Sequence, residues 1–226
     1  MHFYTKITEV MEDLIVAIVA LGILVVSVEY VQFFLDHRDI INYADMAQRL
    51  VLFACVVLFT SYYFVTYSAY FINKKNSVFF QELSAGRMIV LYILDLLAIT
   101  TASWLYAVLL IGTLTSAPDN LPAHAADIDV SINVSDMSVI FMIMLIWHFI
   151  ILIWYFVSGG NREDKSLHAM YTVLYVSLLI LSGHVIQGGL IVWAYILCYL
   201  CLIVSLYVLK GIPDIEAALL SQKDGT

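Results

Sequence analysis

Charge is what this chain has least of. Only 12% of its 226 residues are charged, while 63% are apolar or aromatic, against roughly 25% and 45–50% in soluble domains. Mean hydropathy is +0.95, and an ordinary water-soluble globule is excluded. Proline (3) and glycine (10) are scarce, which excludes collagen-like and low-complexity chains. Three cysteines cannot build a disulfide framework. Cys55, Cys198 and Cys201 all fall in apolar stretches, where a thiol behaves as a small hydrophobe. Basic residues are outnumbered, 10 against 18, for a net charge of −8, so no nucleic-acid partner and no phosphate-binding surface is expected. A cleavable signal peptide is also missing. The first residues carry Lys6, Glu9, Glu12 and Asp13, and the apolar run behind them is too long for an h-region.

What is present is six continuous apolar stretches, over residues 14–35, 50–72, 88–114, 137–157, 169–187 and 190–209. Each can cross about 30 Å of hydrocarbon as a helix rising about 1.5 Å per residue. A lone strand cannot satisfy its backbone in lipid, and a β-barrel would show alternating runs of about ten residues. The expected fold is all-α: one polytopic domain over 1–226 with six transmembrane helices, short loops and a short tail over 211–226.

Orientation follows from Lys and Arg. With the N-terminus cytoplasmic, the inner segments hold Lys6, Lys74, Lys75, Arg87, Arg162, Lys165, Lys210 and Lys223, and the outer ones only Arg38 and Arg49. Both termini are therefore expected inside, in an integral protein of the plasma (inner) membrane. The outer loops are acidic, with Asp36, Asp39 and Asp45 in the first and Asp119, Asp127, Asp129 and Asp136 in the second. Asp36, Asp39, Asp127 and Asp129 would form a cation-attracting mouth. The plainer account is solvated loops that avoid positive charge.

No loop can house a soluble catalytic or nucleotide-binding domain. Residues 116–120 read as a turn, 187–189 as a hairpin between the fifth and sixth helices, and 159–165 as a glycine C-cap followed by charges. Beyond Pro213, residues 214–220 could form a short amphipathic helix on the membrane surface. The halves show no defensible internal repeat, and no proline falls inside the six stretches. Unbroken helices favour a static bundle, a pore or a scaffold over an alternating-access transporter.

Ionisable groups at membrane depth suggest function because they are costly there. Four stand out: Glu29, Asp95, His148 and His184. Counting along each helix puts Glu29 about 7 Å and His184 about 9 Å outward of the midplane, His148 near it, and Asp95 about 8 Å inward. Together they could form a proton or cation ladder. Thr60, Tyr63, Tyr67 and Tyr70 add a hydroxyl stripe on the second helix, with Tyr63 and Tyr67 central enough to join the path. The structural alternative is plain. A lone histidine in a bundle commonly serves as an interhelical contact, a lone acid can pair across a subunit interface, and tyrosines near span ends such as Tyr30, Tyr70 and Tyr171 act as interface anchors.

Other chemistry is poorly supported. Cys198 and Cys201 share a helical face without the ligands that would complete a zinc site. His148 and His184 differ by roughly 9 Å in depth, which disfavours a haem. Ser182-Gly183-His184 lacks an intramembrane-protease partner motif. No lysine falls within the six stretches to carry a Schiff base, and no arginine ladder marks a voltage sensor. Asn133-Val134-Ser135 is a formal glycosylation sequon. No enzyme, cofactor or metal site is expected.

Two functions follow as expectations. One is an oligomeric cation- or proton-conducting protein using the ladder. The other is a non-catalytic anchor or membrane-sensing subunit, with inner segments 73–87 and 158–168 docking a membrane or cytoplasmic partner, as in stress or defence systems. The orientation is checked with reporters fused at each end. Cytoplasmic activity at both termini is the expected result, and a periplasmic or extracellular signal at either one refutes it.

Overall fold

A computed structural model describes residues 2–37, 42–73, 83–110, 132–184 and 189–223. All regular structure among them is helical: α1 (His2–His37), α2 (Tyr43–Ile72), α3 (Ala85–Leu109), α4 (Val134–Ser158), α5 (Arg162–Ser182), α6 (Gly189–Leu206), a π-helical turn Tyr207–Gly211, and α7 (Ile212–Lys223). Six stretches are long and apolar enough to cross a membrane: Glu9–Asp36, Tyr43–Ile72, Ala85–Leu109, Val134–Ser158, Arg162–Ser182 and Gly189–Ser221.

Local signals set the helix starts. The side chains of Asn42, Ser84 and Asn161 accept backbone N–H groups at the first turns of α2, α3 and α5, which satisfies donors that have no partner inside the helix. Asn133 and Asp136 form a reciprocal capping box at the start of α4. The sequon's own Asn133 is thus the N-cap of α4, and Asp136, from the expected outer loop, completes the box in its first turn. At the other end of α4, Gly159 takes φ 75° and stops the helix, a conformation that an L side chain resists.

Packing is centred on α2 and α4. The α2 helix is the most enclosed, touching α1, α3, α6 and α7, while α4 lies along α3 and α5. The α1 helix is the least enclosed and presents Leu21, Leu24, Val28, Val31 and Leu35 outward. An apolar face of that kind suits lipid.

Three boundaries differ from expectation, and each moves a polar residue inward. First, α2 begins at Tyr43, so Gln48 and Arg49 are buried in its second turn instead of lying in an outer loop. Second, Asn161 caps α5 ahead of Arg162, so His168 lies two turns inside a helix. Segment 158–168 is therefore helix apart from Gly159, Gly160 and Asn161, while 74–82 of the other expected docking segment lies outside the described residues.

Third, the last helix does not stop near 209. It continues through the π-turn and Pro213 into α7, which packs on α2, so the tail is no separate surface helix. The N–H of Ile212 reaches back five residues to Tyr207. Pro213 has no N–H to offer the carbonyl four residues behind it, and the widened turn sits just ahead of that gap. Lys210 lies in this turn and is buried. The expectation that lysine and proline are absent from the spanning helices is therefore corrected for the stretch Gly189–Ser221.

Gly22 explains the approach of α1 to α3. A Cβ there would sit 2.5 Å from the Tyr106 ring, and Tyr106 in turn bonds Thr60 on α2 at 2.8 Å. Gly22→Ala should destabilise the bundle by about 1–3 kcal/mol through overpacking. Gly86, with nothing within 4 Å, is the control. Thermal unfolding in detergent followed by tryptophan emission checks this: Gly22→Ala lowers the midpoint by several degrees and Gly86→Ala does not.

Candidate functional site

The polar face of α2 turns inward where expected. Thr60, Tyr63 and Tyr67 are buried and Tyr70 half-buried, at the three- and four-residue spacings that align a helical face. Opposite them, α3 contributes Asp95, α4 contributes Trp147, Trp154 and Tyr155, α5 contributes His168, and the π-turn contributes Lys210. These side chains line a cavity of about 40 Å³, and since one water needs roughly 10–15 Å³ of such space, about three would fit. The chamber lies in the half of the bundle that contains the start of α5 and the ends of α2 and α4.

Its walls are aromatic rings packed edge to face. Tyr63 meets Trp147 at 5.3 Å and 84°, and Tyr70 meets Trp154 at 5.2 Å and 76°. Edge-to-face contact is a preferred arrangement of aromatic rings and adds to their packing. Polar groups punctuate the walls. Tyr67 donates its hydroxyl to the Asp95 carboxyl at 3.4 Å, and the Trp154 indole lies beside the same group. The Tyr63 hydroxyl and the Trp147 indole N–H are buried without a hydrogen-bond partner. Buried polar groups of this kind are normally met by water or a ligand.

Behind the chamber, His168 and His148 share a hydrogen bond between their Nδ1 atoms at 3.0 Å. One Nδ1 must donate and the other accept, so the two rings hold complementary tautomers and exchange them when a proton moves along the pair. Aromatic rings fix both imidazoles. His148 stacks on Tyr171 at 5.0 Å and 7°, and His168 on Tyr155 at 5.3 Å and 27°.

Lys210 lies at one end of the chamber. Its ammonium contacts Asp164 of α5 at 2.6 Å and Asp214 of α7 at 3.0 Å, and lies 5.3 Å from the Tyr155 ring centre. Two carboxylates around one buried ammonium offset its desolvation, and they fasten α5 to the end of the sixth spanning stretch.

No protein-family model, characterised protein or solved structure matches the chain. The six helices of spanning length and hydropathy suggest a multi-pass membrane protein, and the site has to be read from its own residues.

The four ionisable residues picked from the sequence do not converge. Asp95 lines the chamber and His148 adjoins it through His168. His184 is exposed in the turn after α5, and Glu29 is half-buried near the far end of α1. Around Glu29 the neighbouring Tyr30 is buried and donates to the Leu109 carbonyl at 3.0 Å, with Arg49 beside its hydroxyl, so it is a core contact rather than an interface anchor. Tyr171 is likewise a core contact: it bonds Ser205 and stacks on His148. Of the expected mouth, Asp36 is exposed on the last turn of α1. Asp39, Asp127 and Asp129 lie outside the described residues.

His168 and Lys210 are the site residues that sequence reasoning missed, having been assigned to inner loops. Both left a signal. Asn161 followed three residues later by Asp164 marks a helix start ahead of His168, and Lys210 stands four residues before Asp214, the spacing of a helical ion pair.

Removing the ammonium leaves two partly buried carboxylates facing each other. Lys210→Ala should therefore destabilise the protein by about 3 kcal/mol, whereas Arg162→Ala, on the exposed first turn of α5, should change stability by less than about 0.5 kcal/mol. Paired unfolding curves in detergent check the difference.

Proposed function

We propose that this chain is an oligomeric, multi-pass protein of the plasma (inner) membrane, with both termini cytoplasmic, that conducts protons or small cations through the aromatic chamber. The observation that carries the reading is the convergence of Asp95, His168 and Lys210, from three separate helical segments, on one cavity of about 40 Å³. Protonatable groups inside a membrane bundle are costly, and a cluster around space for water is a natural place for charge to move.

In this reading water in the chamber bridges the Asp95 carboxyl and the ring nitrogen of His168 that His148 does not engage. Asp95 takes up and releases a proton while Tyr67 holds one of its oxygens. The His168–His148 pair passes a proton when one enters at the Nε2 of one ring, the shared Nδ1 proton crosses, and another leaves from the Nε2 of the second ring, which exchanges both tautomers. Lys210, held between Asp164 and Asp214, guards the inner end: the chamber opens to the cytoplasm when that contact loosens. Outward, the face of α2 continues through the Thr60–Tyr106 hydroxyl pair toward the ends of α1 and α3, where Glu29 and Asp36 would gather cations.

The test is proton and cation flux in liposomes containing the purified protein. Asp95→Asn and His168→Gln each lower the flux at least tenfold, while His184→Gln, at an exposed position, leaves it within twofold. Flux unchanged by both chamber substitutions overturns the reading. Absence of flux together with a stable heteromeric partner on gentle purification replaces it with the membrane-subunit reading.

A further inference from the structure

We infer that the chamber is a binding site for a small primary ammonium ion, ammonium itself or methylammonium. This names the species for the conduction reading above and rests on it for transport, while the binding itself stands on the chamber alone.

Charge is the first argument. Lys210 meets two carboxylates with one ammonium and so brings no spare positive charge to the chamber. Asp95 has no basic partner among the ion pairs of the described residues, and its donors are neutral: the Tyr67 hydroxyl at 3.4 Å and the Trp154 indole. A carboxylate in that setting lacks a counter-ion.

The walls are the second. Eight aromatic rings line the cavity, and aromatic faces attract cations, most strongly those that give up their hydration easily. An anion would meet the same faces unfavourably.

Hydrogen bonding and size narrow the class. The Tyr63 hydroxyl is buried and unpartnered, and Tyr63 lines the chamber; its oxygen can accept an N–H, as can a remaining lone pair of the Asp95 carboxylate. An ammonium ion supplies N–H donors to both at once, which an alkali cation does not. The cavity of about 40 Å³ has room for one or two heavy atoms beyond a water, by the space that each water needs (roughly 10–15 Å³). Methylammonium fits, and tetramethylammonium, with its five heavy atoms and no N–H, does not.

The experiment is a binding titration on the full-length protein in detergent, read by tryptophan emission, because Trp147 and Trp154 are on the chamber wall. Ionic strength and pH are held constant while sodium is exchanged for ammonium, methylammonium, potassium or tetramethylammonium. The expected result is a saturable change with ammonium and methylammonium that is absent with tetramethylammonium and at least tenfold weaker with potassium. Asp95→Asn weakens it at least tenfold, and Tyr63→Phe, which keeps the ring and removes the acceptor, weakens it several-fold. Circular dichroism and a monodisperse elution profile certify both variants, and Tyr63→Phe serves if Asp95→Asn misfolds. An equal response to sodium and ammonium, an equal response to potassium, or titrations unaltered in the folded variants would each overturn the proposal. Ammonium binding without flux sinks conduction and keeps the site, while proton flux without an ammonium response does the reverse.

Discussion

A single buried ammonium organises one end of this bundle. Lys210 is carried inward by a π-turn, and it can stay there only because α5 offers Asp164 and the following turn offers Asp214. An unpaired ammonium at that depth would cost several kcal/mol, so the three groups are fixed relative to one another. From this follow the register of the last helix against α5, the contact of Tyr207 with the Leu58 carbonyl of α2, and the placing of Tyr155 and His168 at the chamber wall. Pro213 is part of the same device, since its missing N–H favours the widened turn that aims the lysine.

The rest of the polar interior obeys the same constraint by different means. Away from water, each hydroxyl must find a carbonyl, another hydroxyl or a ring nitrogen. Thr60 bonds Tyr106, Tyr30 bonds the Leu109 carbonyl, Ser138 bonds Ser182, and Tyr171 bonds Ser205. These contacts tie helices far apart in sequence. In the chamber that economy is incomplete: the Tyr63 hydroxyl and the Trp147 indole N–H are buried there without a hydrogen-bond partner.

Much of the fold was legible in the sequence, because hydrocarbon permits few structures. Long apolar runs must be helices there, and their number and approximate positions follow from length alone. Helix ends were less legible. A charged residue at the edge of an apolar run looks like loop, yet Arg49, His168 and Lys210 are all helical and buried. Each is near enough to an opposite charge or a ring system to be drawn inside, and a count along one chain segment cannot see that neighbour. The candidate site was half legible: Asp95, His148, Tyr63 and Tyr67 were found because ionisable or hydroxyl groups are rare at depth. Glu29 and His184 share that rarity but stand apart from the chamber.

The sequence by itself determined the helical architecture, the six spanning-length segments and the scarcity of buried charge, since all three follow from composition and periodicity within single segments. Only the tertiary structure decided which rare groups meet. Pairing His148 with His168, enclosing Asp95 among aromatic rings and seating Lys210 between two carboxylates depend on how four helices rotate about their axes. That rotation is set by side-chain packing between segments, Gly22 against Tyr106 among them, and no property of one segment encodes it.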